Sequence, residues 1–234
     1  MKQLTAVEYK AELETFEGFC NRAMDSMNKE IETLSAEIIK PIGDNTDDTE
    51  KYKDQCNEKI NELKERKDGY IKFINYLMEQ TGFLQAPAST KYHMCIPHGL
   101  LVHTNLVVKT GLKLSKALGT GLPEHKIIIP FQAHDIGKHN QYKPNEPTEK
   151  QKKYGYPASI PYSFDDKQLY NEHESRSLYM ISQFIRLDEE EWVAIMYHNS
   201  PWDGITKCAF KQNKILTLLQ MSDYWSSVYL EERP

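Results

Sequence analysis

The 234-residue chain predicts an all-α fold. Apolar residues recur in steps of three and four over long stretches, as one face of a helix requires. Stretches of strict polar–apolar alternation, the mark of a half-buried strand, are hard to find.

The first element spans 5–40. Thr5 and Glu8 have capping-box spacing, and an apolar stripe follows at Leu13, Phe16, Cys20, Met24, Met27, Ile31, Leu34 and Ile38. Pro41 ends it, and the polar segment 41–49 forms a turn. A second stripe runs through Tyr52, Cys56, Ile60, Leu63, Tyr70, Ile74 and Leu77, and Gly82 closes it. Two long helices with a short connector predict an antiparallel hairpin over 1–82. Lys and Glu mix on its outer faces without a basic stripe, so it is expected to act as scaffold, cover or homo-oligomer arm.

Residues 83–234 form the second predicted unit. APAST and IPHG within 83–99 are loop chemistry. Helices are expected near 100–118, 124–136, 168–186, 188–199 and 211–230. Between them, 138–167 reads as a long loop with four prolines and the cations Lys150, Lys152 and Lys153. A structureless loop of that length is usually functional, and it is expected to act as a lid.

The bulk numbers bound the function. Hydrophobic residues at 39% suffice for a core. A net charge of -5 provides no whole-protein field for long nucleic acid or an anionic membrane, although a local metal cluster can still bind phosphate. Cys20, Cys56, Cys95 and Cys208 form no CxxC pair, which argues against a zinc finger. The N-terminus lacks an apolar signal region and no run approaches membrane-span length, so a cytoplasmic protein is expected.

The chemistry concentrates in six residues. His134 and Asp135 are adjacent in AHDIGK, at the predicted end of the apolar run IIIPFQA. In mid-helix their side chains would diverge by about 100°, whereas at a helix end both can turn to one point. Gly137 permits a tight exit. His103 and Asp223 each interrupt an apolar helix, where an unpartnered polar group is costly to bury. His173 and His198 complete a tally of four His and two Asp. That set suits a two-metal site for Mn, Fe, Mg, Co or Zn.

The order H…HD…H…H…D resembles the HD superfamily of metal-dependent phosphohydrolases. The stretch PASTKYHMCIPHGLLVHT is similar to a pattern of HD-type 3′–5′ exoribonucleases, and AHDIGK contains the HDIGK run. HESRSLYMI and EEEWVAIMYH resemble segments of small HD hydrolases. The likeness covers about 85–230. His98, Met94 and Asn171–Glu172 depart from the pattern.

The resemblance implies that His103, His134, Asp135 and Asp223 hold one metal. Asp135 would bridge to a second, held by His173 and His198. Lys138 looks like a phosphate-contacting lysine, and Arg176, one turn after His173, is placed to grip a phosphate. Asp135, Lys138 and Arg176 are the expected catalytic residues, with His93 and His98 as substrate or supporting contacts. His139 is a weaker candidate. Tyr142, Tyr154, Tyr156 and Trp202 offer rings for stacking on a base. The expected activity is hydrolysis of a phosphate ester or phosphodiester in a nucleotide, cyclic nucleotide or short oligonucleotide. A mixed-valent diiron oxygenase and a non-catalytic nucleotide sensor are the alternatives.

Overall fold

A computed structural model describes residues 3–39, 47–167, 172–200 and 213–231. The fold is all-helical: α1 Ala6–Ile39, α2 Asp47–Gln80, α3 Gly99–Leu118, α4 Glu124–Ala133, α5 Glu149–Tyr154, α6 His173–Ser182, α7 Glu189–Tyr197 and α8 Lys214–Trp225. A π-helical turn, Ser226–Leu230, continues α8. Pro41, Trp202 and Cys208 lie outside the described residues.

Local chemistry sets the helix starts. Thr5 and Glu8 exchange the two hydrogen bonds of a capping box. Asp188 and Glu191 form another at α7, and the Asn213 side chain caps α8. Gly119, in the left-handed region at φ 60°, terminates α3.

The two predicted units share one apolar core. Phe16, Phe19, Ala23 and Met27 of α1, with Tyr70, Phe73 and Leu77 of α2, join Leu100, Val107, Ile128, Phe131, Ile181, Ile195 and Leu219 in a continuous buried cluster. Part of the hairpin stripe is therefore packed inside its own chain, with α1 lying against α3 and α4. Its energetic weight is large, since burying one such side chain contributes about 1.5–3 kcal/mol.

Residues 138–167 differ from the expected structureless loop. Strand β1, Tyr142–Pro144, pairs antiparallel with β2, Tyr162–Phe164, and α5 lies between them. Thr148 and Gln151 form a capping box that starts α5. Strands of three residues are too short to show a period of two, which is why the sequence pattern does not reveal them. The segment also docks, because the Tyr162 amide donates to the Thr90 carbonyl.

Three helix boundaries also shift. The run expected over 124–136 leaves α-geometry after Ala133 and re-forms as a 3-10 turn, Ile136–Lys138. Glu172 is extended, so the helix expected from 168 starts at His173, and 168–171 lie outside the described residues. The last helix changes to π geometry after Trp225.

Candidate metal centre

The break after α4 builds the centre. His134 keeps helical angles, but Asp135 lies at φ -112° and ψ 2°, outside the helix. Both side chains therefore turn to one point, with His134 Nε2 3.5 Å from Asp135 Oδ2. Gly137 makes the turn possible: a β-carbon there would fall 2.1 Å from the His173 carbonyl oxygen. The Ser177 hydroxyl accepts from the Gly137 amide and donates to the His134 carbonyl, clipping the turn onto α6.

Asp135 is the hub. Its Oδ2 lies 3.2 Å from His103 Nε2, and its Oδ1 lies 3.0 Å from His173 Nε2 and 3.5 Å from His198 Nε2. Asp223 Oδ1 lies 3.4 Å from His103 Nε2. The structure thus gathers all six residues of the HD-like order around one carboxylate. Three overlapping groups among them can hold a metal ion: His103 with His134 and Asp135, His134 with His198 and Asp223, and Asp135 with His173 and His198.

The histidines are pre-oriented. The Nδ1 atoms of His134 and His198 face the carbonyls of Phe131 and Ile195 at 2.7 and 2.8 Å. His103 Nδ1 faces Glu231 at 2.7 Å, and His173 Nδ1 lies 3.3 Å from Glu174. In the neutral ring an acceptor on Nδ1 holds the proton there and frees the Nε2 lone pair, the usual arrangement around a metal.

The chemistry of the donors tests the fit. Asp135 Oδ1 and His173 Nε2 are buried and close, yet neither has a hydrogen-bond partner. Two orphaned buried atoms converging on one point need a third species, since leaving them unmade is costly. A cation suits both. Imidazole and carboxylate donors fit a borderline or hard divalent ion.

Burial and the neighbouring charges act differently on each group. Burial works against a charged His103 ring, but Glu231 and Asp135 raise its pKa to about 10. Burial pushes His134 down to about 3. Burial also opposes a charged Asp135, but Lys138 and then the surrounding histidines hold it well below the usual carboxylate range.

The predicted contact residues take different positions. Lys138 Nζ donates to Asp135 Oδ2 at 2.6 Å. Arg176 Nη2 lies 3.3 Å from His139 Nε2, and its buried Nη1 has no partner. His93 stands beside His103, ring centroids 5.0 Å apart. His98 is not among the gathered groups. It caps α3 with φ 66°, its Nδ1 meets the Leu84 carbonyl at 2.5 Å, and its ring packs on Tyr9 at 4.2 Å. Tyr142 packs on Phe164, and Tyr154 and Tyr156 are exposed.

Sequence reasoning missed Glu231, Ser177 and the two anchoring carbonyls. Backbone acceptors leave no trace in side-chain identity. Ser177 carried a signal, lying one turn past His173 on the same helix face.

No protein-family model matches the chain, and the comparisons with curated proteins and with solved structures return no match. Fold and site together define an all-helical protein with a buried His/Asp cluster that could bind metal. That cluster is compatible with an HD-type centre. Among the described residues no helix is long and apolar enough to cross a membrane.

Proposed function

We propose that this chain is a divalent-metal-dependent phosphohydrolase acting on a nucleotide, cyclic nucleotide or short oligonucleotide. The observation that carries the reading is Asp135 set between two histidine pairs, with Lys138 and Arg176 flanking the same turn. His103, His134, Asp135 and Asp223 would hold one ion, and Asp135, His173 and His198 a second. Ions bound there supply Lewis acidity and a water that ionises near neutral pH.

The chain's own groups supply the rest. Among the described residues Arg176 has no carboxylate partner, and its buried Nη1 is orphaned, so its guanidinium is available to a phosphate oxygen. Lys138 balances the bridging carboxylate and adds a second cation beside the incoming phosphate. His93 offers a ring next to His103 for substrate contact. The hairpin of β1 and β2 with α5 borders this region through Tyr142, whose pKa is raised by burial.

The test is a hydrolysis screen. Protein supplied with Mn, Fe, Mg, Co or Zn is incubated with mononucleotides, dinucleotides, cyclic dinucleotides and short RNAs. Phosphate-ester cleavage that a chelator suppresses and Asp135→Asn abolishes is expected. A metal-loaded protein that leaves the whole panel intact refutes the proposal. Cleavage should also proceed without dioxygen, which an oxygenase would need.

A further inference from the structure

The carboxylate of Glu231 is fully buried and spans two histidine rings. Its Oε1 lies 2.7 Å from His103 Nδ1, and its Oε2 lies 2.5 Å from His93 Nδ1. His103 turns its other nitrogen to Asp135 and Asp223. We infer that Glu231 is a positioning residue that orients His103 as a metal ligand and, through its second oxygen, locks His93 beside the same centre. The inference rests on the metal-binding reading above.

Helix geometry explains how Glu231 reaches the centre. In an uninterrupted α-helix, eight residues separate Asp223 and Glu231 by about 80° around the axis. The turn Ser226–Leu230 is π-helical instead, and the Glu231 amide bonds to the Ser226 carbonyl at 3.1 Å, five residues back. A wider turn advances each residue by a smaller angle, so Glu231 swings back toward the face that carries Asp223. Single π turns inside helices recur at functional sites. Here the turn brings two carboxylates onto opposite nitrogens of one imidazole.

The chemistry is that of a carboxylate–histidine–metal relay. A carboxylate on Nδ1 fixes the tautomer and raises the basicity of Nε2, and losing such a partner typically costs 10–100-fold in metal affinity. Among the described residues no other group bonds to His103 Nδ1. Among the described residues His103 Nδ1 faces Glu231 and no backbone carbonyl, unlike His134 and His198.

The test measures metal binding, not turnover. Mn2+ affinity is determined by calorimetry, and the Co2+ complex by visible absorption, for the wild type, Glu231→Gln and His103→Ala. The expected result for Glu231→Gln is a 10–100-fold weaker Mn2+ affinity at one site and an altered Co2+ band. Wild-type affinity and an unchanged band in Glu231→Gln, with binding lost in His103→Ala, overturn the inference and leave the metal reading standing. A wild type that binds neither ion overturns both. Should Glu231→Gln not fold, the Zn2+-loaded wild type decides by nitrogen-15 NMR of the histidine rings. The His103 ring must carry its proton on Nδ1, and a proton on Nε2 overturns the inference.

Discussion

Gly137 and the carbonyl of His173 approach so closely that a β-carbon on the glycine would sit 2.1 Å from the oxygen. That contact sets the distance between the turn carrying Asp135 and the helix carrying His173. Gly137→Ala must push α6 away. A loss of about 1–3 kcal/mol is expected from the overpacking, along with weaker metal binding between Asp135 and His173. Thermal unfolding and metal titration of this variant check both effects.

Asp135 touches all four histidines, while Asp223 meets the cluster at His103. On the proposed two-ion reading, Asp135→Asn is therefore expected to abolish binding of both ions. Asp223→Asn should weaken one ion and spare the other. Elemental analysis of the two dialysed variants distinguishes them, and equal losses would contradict the hub geometry.

His125 provides a pH prediction away from the candidate metal centre. Its ring is fully buried beneath α1, and burial, followed by Arg66 and Lys126, lowers its pKa to about 3. The unfolded ring takes up a proton near about 6.5, the ordinary histidine value. Its contribution to stability is full above that pH and is lost as pH falls toward about 3, with a slope of at most about 1.4 kcal/mol per pH unit. His125→Gln should flatten that part of the stability profile. Denaturant unfolding at several pH values measures the difference, and parallel profiles would exclude His125 as its source.

Arg66 of α2 pairs with Glu191 of α7, both nearly or fully buried. Removing one partner of a buried pair leaves a charge uncompensated, a loss of about 3–5 kcal/mol. Lys126, 3.5 Å from Glu191, offsets part of it. Arg66→Ala is expected near the lower bound, and the double variant Arg66→Met with Glu191→Leu should recover most of the stability. A double-mutant cycle by chemical denaturation checks the coupling.

The seven helices other than α5 were legible because each carries an apolar stripe with the helical period, from Phe16 to Leu219. The six gathered residues were legible for a related reason. His103 and Asp223 break apolar stripes, and His134–Asp135 sits where one ends. The hairpin at 142–164 was hidden by its brevity. Glu231 was hidden more deeply. Counting along an α-helix puts it off the Asp223 face, and the π turn that corrects this has no side-chain signature. His98, a histidine in a motif-like stretch, stands instead as a left-handed helix cap against Tyr9.

The shared core also orders events during synthesis. Chains emerge from the ribosome N-terminus first, so α1 and α2 are made well before α3 and α4. Until residues near 130 appear, Phe16, Phe19, Tyr70 and Phe73 have only each other to cover them. Without the later helices, the hairpin would leave that apolar face open to solvent. Because His103 and Glu231 close a loop of more than a hundred residues, the centre is completed only after the whole stretch between them has been made.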